Sequence, residues 1–83
     1  MATHARTAGA DDRARVLTTA TLNAARILGL SQAQLARVLG ISESTVSRMA
    51  AGRHLLKEGS SEWQLAALLV RLFRSLDALM AGD

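Results

Sequence analysis

The stretch LSQAQLARVLGISESTVSRMAAG, Leu30–Gly52, decides the fold. It holds two short apolar-periodic segments separated by Gly40, Ile41 and Ser42. Ser31 followed by Gln34 has the capping-box spacing, in which a hydroxyl and a side-chain amide satisfy the free N–H groups of a helix start. Leu35, Val38 and Leu39 give that helix its apolar face, and Ala36 is small enough to let another helix approach. Gly40 ends the helix with the positive φ that other residues adopt only at a cost. Ile41 turns inward and Ser42 caps the next helix. That helix carries Val46, Met49 and Ala50 on one side, with Glu43, Ser44, Ser47 and Arg48 on the other, and Gly52 closes it. Ala36, Gly40, Ile41 and Val46 together supply a close crossing, a tight turn, an inward plug and a buried inner side. These are the requirements of a helix-turn-helix, here over residues 31–52.

The flanks are also helical in pattern. Residues 1–10 mix small and polar types without periodicity and are expected to be a flexible N-terminus. Asp11 and Asp12 suit a helix N-terminus, and Val16, Leu17, Ala20, Ala24, Ile27 and Leu28 then recur as one helical face, with Gly29 as the stop. After the connector GRHLLKEGS, Ser61 and Gln64 repeat the capping-box spacing, and a long helix over 61–81 is predicted. Its stripe Leu65, Leu69, Leu72, Leu76, Leu79 steps by four and three, as a helix seam does. Phe73 and Met80 widen the apolar surface beyond one stripe, so this helix calls for more than one partner surface. Its Arg74 and Asp77 have a spacing that allows a weak pair. No strand-like alternation occurs. The expectation is one all-α domain over 11–83, a bundle of four to five helices containing the helix-turn-helix.

Composition narrows the function classes. A domain of 83 residues buries a limited core and gains from an external stabiliser. Without Cys it has neither disulfides nor thiolate metal sites, and His4 and His54 lack ligand spacing, so association of two copies through the last helix is the expected aid. No metal or cofactor is implied. The start has no signal-peptide core, and Arg71, Arg74 and Asp77 interrupt the longest apolar segment, which speaks against a membrane span. A cytoplasmic location fits both. The net charge of +3 is modest, but it is focused. Between Ser31 and Lys57 the bases are Arg37, Arg48, Arg53 and Lys57, against the single acid Glu43.

With those residues in place, LSQAQLARVLGISESTVSRMAAG resembles the Xre-type helix-turn-helix of the lambdoid phage repressor and Cro proteins. GSSEWQLAALLVRLFRSLDALMAGD is similar to the long helix that follows this motif in the Xre/MbcA/ParS antitoxins. The resemblance implies DNA binding and autorepression by an antitoxin. It also implies a RES-type or ADP-ribosylating toxin as partner, held through a C-terminal region expected to begin where this chain stops. By the same resemblance Gln32 bonds a phosphate.

The outward residues of the third helix suit base reading. Ser42, Glu43, Ser44 and Ser47 lie toward its N-terminal turn, where a recognition helix enters the major groove of a double-stranded operator. Glu43 suits cytosine N4 amines, Ser44 donates or accepts, and Arg48 suits a guanine edge or a phosphate. Gln32, Arg37, Thr45, Arg53 and Lys57 are the expected phosphate contacts, although Arg37 and Lys57 also suit an ordinary solvated surface. Leu65, Leu69, Leu72, Phe73, Leu76, Leu79 and Met80 are expected at the homodimer or partner interface. No nucleophile–base spacing and no phosphate loop is present, so an enzyme is not expected. Two alternatives remain beside the antitoxin: a protein-interaction module whose last helix does the binding, and a phage-type repressor.

Overall fold

The computed structural model describes the backbone of residues 2–81, with side chains from residue 11 to 81. It contains α1 (Ala2–Leu28), α2 (Gln32–Leu39), α3 (Glu43–Ala50) and α4 (Ser61–Ala81). The described residues form no strand and no fifth helix, so the bundle has four helices. None of them is long and apolar enough to cross a membrane.

α1 begins at Ala2, not at the Asp11–Asp12 pair. Alanines at 2, 5, 8 and 10 carry high helix propensity through the segment expected to precede the helix. Both aspartates are therefore exposed mid-helix residues rather than a charged first turn. His4 lies outside the residues whose side chains are described, and His54 is half-buried in the connector.

The inner face of α1 also departs from the expected one. Leu17 and Ala24 turn inward, but Val16, Ile27 and Leu28 are exposed. Their places are taken by Ala14, Thr18, Thr21 and Ala25, which recur at helical spacing and are buried. Each threonine hides its polar atom in a hydrogen bond. Thr21 Oγ1 donates to the Leu17 carbonyl at 2.7 Å, and Thr18 Oγ1 accepts the Leu56 N–H at 2.9 Å. The second bond fastens the connector to α1 and lets Leu56 drop fully into the core. Outside it, Arg13 and Glu58 form an exposed ion pair, with Nη2 to Oε1 at 3.1 Å. The Arg74–Asp77 pair that spacing allows is not formed, and both side chains stay exposed.

The core joins Ala25 of α1 to Leu35, Ala36 and Leu39 of α2, Val46 and Met49 of α3, Leu56, and Ala66 of α4. α1 lies along α4, and α2 packs on both α3 and α4. Val38, expected on the inner face of α2, is exposed. The buried face of α2 is Leu35, Ala36 and Leu39 instead. α4 spans 61–81 as expected, but its cap lies one residue earlier than the spacing suggests. Ser60, not Ser61, is the cap, its Oγ accepting the Trp63 N–H at 3.1 Å and donating to the Lys57 carbonyl at 2.6 Å.

The radius of gyration is 13.8 Å, above the roughly 12 Å of a compact chain this long. The end of α4 accounts for part of that excess. Beyond Phe73 every described residue of α4 is exposed.

Candidate nucleic-acid interface

Local chemistry fixes the α2–turn–α3 unit. Ser31 Oγ accepts the Gln34 N–H at 3.1 Å, while Gln34 Oε1 accepts the Ser31 N–H at 2.8 Å, completing the capping box. At the far end Gly40 has φ 72° and ψ 32°, and its N–H and that of Ile41 both reach the Ala36 carbonyl. The left-handed residue reverses the chain without leaving those helix-end groups unpaired. Ile41 then packs against the core, and Ser42 Oγ accepts the Thr45 N–H at 3.1 Å to start α3. α3 closes as α2 does, with Gly52 at φ 77° and the Arg53 N–H on the Arg48 carbonyl at 2.8 Å.

Val46 and Met49 are almost completely buried, which sets the rotation of α3. At 3.6 residues per turn, the side opposite them carries Ser44, Ser47 and Arg48, with Glu43 and Thr45 on the flanks. Ser42, Glu43, Ser44, Ser47 and Arg48 are all exposed, and Thr45 is half-buried. Hydroxyls link the N-terminal turn: Ser42 Oγ lies 2.8 Å from Thr45 Oγ1 and 3.1 Å from Ser44 Oγ. Arg48 Nη2 donates to Thr45 Oγ1 at 3.2 Å, drawing the guanidinium toward that same turn. Ser42 thus has a structural duty as cap, and Thr45 one as the anchor of Arg48.

The expected backbone-contacting residues are also at the surface. Gln32 opens α2, Arg37 sits in its last turn, Arg53 follows α3, and Lys57 lies in the connector, each exposed. Among the described residues none of Arg37, Arg48, Arg53 and Lys57 forms an ion pair, so their charge faces solvent uncompensated. Reading the sequence missed Asn23 and Arg26. They line a concavity with Ser31 and Gln32 that runs from the end of α1 to the start of α2, and Arg26 donates to Asn23 Oδ1. The signal available was a cation in the last turn of α1, a few residues before the capped start of α2.

A capped helix, a left-handed glycine turn and a second capped helix with an exposed polar face form a complete helix-turn-helix. The model of the antitoxin Xre-like helix-turn-helix domain matches residues 8–71. The chain belongs to that family. No curated protein and no solved structure matches the chain significantly. As an Xre-like antitoxin domain it is a DNA-binding module of the antitoxin type.

The family match stops at residue 71, whereas α4 continues to Ala81. Of the residues expected at an interface there, Leu65, Leu72, Leu76, Leu79 and Met80 are exposed. Leu69 and Phe73 instead turn partly inward, beside Ala66 and Val70. Leu68, absent from the expected set, stands in the open.

Proposed function

We propose that this Xre-like domain is the operator-binding part of an antitoxin that represses its own gene in the cytoplasm. The observation that carries the reading is the outer face of α3, where Ser44, Ser47 and Arg48 stand exposed opposite buried Val46 and Met49. In the major groove Glu43 accepts from cytosine N4 amines, Ser44 and Ser47 bond base edges, and Arg48 meets a guanine. Ser42 stands at the same turn, with its Oγ held in the cap. Gln32 and the N–H groups at the start of α2 hold one phosphate. Arg37, Thr45, Arg53 and Lys57 hold others and set the register. Two copies joined through α4 read a palindromic site, as two-fold repressors do. A RES-type or ADP-ribosylating toxin is the partner class that the antitoxin resemblance implies.

Footprinting on the DNA upstream of its own gene tests this. The expected result is two protected half-sites about one helical turn apart, roughly 34 Å. No protection at low salt sinks the repressor reading.

A second reading rests on the exposed leucines of α4, which suit a protein-interaction module with the helix-turn-helix as scaffold. Under it, a purified complex with a protein partner forms in the absence of DNA, and upstream DNA is left unprotected.

A further inference from the structure

α4 presents two different apolar faces. One, centred on Ala66 and Val70, belongs to the core of its own chain. The other is uncovered: Leu65, Leu68, Leu72, Leu76 and Leu79 are 39%, 57%, 58%, 43% and 72% exposed. At 100° per residue these five fall within about 80° of arc, so they form one stripe about 21 Å long. Its steps are three, four, four and three. That order reads the same in both directions about Leu72.

The geometry points to a second copy of this chain as the occupant, with its α4 antiparallel and the two-fold axis passing through Leu72. In that register Leu65 faces Leu79 of the partner, Leu68 faces the partner's Leu76, and Leu72 meets its own counterpart. Every leucine then meets a leucine. A parallel pair needs no symmetry in its stripe, whereas an antiparallel pair about one axis needs this one. The seam that spacing predicts, through Leu69, lacks the symmetry and the exposure, because Leu69 turns toward the core.

Two further features agree. Leu65, Leu72 and Leu79 recur every seven residues, a period of 3.5 that drifts by only about 40° along two heptads of a straight helix. A seam this short therefore needs little supercoil to keep all five leucines on the partner. The bodies of the two copies also stay apart. Each core is seated on the half of α4 around Ala66 and Val70, and the half beyond Phe73 is exposed. Antiparallel pairing lays each exposed half along the partner's covered half. Parallel pairing leaves both exposed halves together and crowds both cores at one end.

The inference rests on the proposed operator reading for its two-fold pairing and gives that pairing a register, and it is testable without DNA. Sedimentation of the full chain should show a dimer that Leu72→Glu converts to monomer while helicity is unchanged, Leu72 being outside the core. Since the chain has no Cys, single cysteines report the register. Oxidation should cross-link Leu72→Cys to itself. A mixture of Leu65→Cys and Leu79→Cys should give the heterodimer, and Leu65→Cys alone should stay uncross-linked, its two sulfurs being about 21 Å apart. A wild-type monomer at high concentration, or efficient self-cross-linking of Leu65→Cys, overturns the proposal. Footprinting is read separately. Protection of the operator by a chain that does not pair this way would leave the repressor reading standing and remove only the α4 register.

Discussion

Arg48 and Thr18 show how single side chains do their work through one placed atom. Thr45 Oγ1 holds the Arg48 guanidinium near the N-terminal turn of α3, so the proposed contact to a base edge would cost less rotamer freedom. Arg48→Ala should weaken operator binding by about 1–3 kcal/mol and random DNA much less, measured by titration of both duplexes at one salt concentration. Equal losses on both would make Arg48 a phosphate contact. Thr18 acts inside the fold. Its Oγ1 is the acceptor for the Leu56 N–H in a buried setting, so Thr18→Val keeps the shape and strands the donor. A loss of about 1–3 kcal/mol in urea unfolding is expected, with most of it restored in Thr18→Ser. No loss in Thr18→Val would mean that the connector finds another acceptor. Such a threonine is invisible to a search for apolar periodicity, because its hydroxyl counts as polar until a partner is known. The ends of α2 and α3 are the opposite case. Ser31, Gln34 and Ser42 cap their helices as their spacing requires, since all the atoms involved lie within three residues of one another.

At the scale of the element, the α2–α3 corner depends on Gly40. Its φ of 72° lies in the left-handed region, yet a Cβ built there meets nothing within 4 Å. The penalty for Gly40→Ala is therefore conformational rather than a clash, about 1–2 kcal/mol in thermal or urea unfolding. Gly40→Asn should lose less, since Asn adopts this conformation more readily. Equal stability of Gly40→Ala and the parent would show that the corner can relax without its left-handed residue. The faces of the long helices were less legible than the ends of α2 and α3. α1 and α4 each carry more apolar residues than one face can hold, so periodicity alone leaves their rotation open by one residue. Leu68 and Leu69 are both leucine, and only contact with the core turns Leu69 in and Leu68 out. The same holds for Val16 against Leu17 on α1. The cap of α4 slipped between two adjacent serines for a related reason: Lys57 offers its carbonyl to Ser60, and sequence spacing cannot see that bond.

For the whole molecule, the proposed operator reading depends on charge and pairing acting together. The four cations between Ser31 and Lys57 are free of ion pairs among the described residues, so binding DNA releases counterions without first breaking salt bridges. If Arg37, Arg53 and Lys57 each neutralise one phosphate in both copies of a dimer, the slope of log K against log salt should be about −5. Measuring affinity for the operator between low and moderate salt checks this, and a flat response would remove these residues from the interface. Lys57 and Glu58 divide the connector between two tasks. Lys57 faces solvent, while Glu58 is occupied with Arg13 of α1.

The sequence alone determined the all-α class, the helix-turn-helix at residues 31–52 and the exposed polar side of its second helix. Each of these depends on contacts among residues a few positions apart: caps, a left-handed glycine, and a narrow apolar side on a helix of eight residues. Tertiary structure decided which threonines are buried, where α1 and α4 point their surplus apolar residues, and that Leu68 replaces Leu69 in the open stripe. Those choices follow from competition for one small core. It accommodates Ala66 and Val70 of α4 and leaves five leucines outside, where a second molecule can reach them.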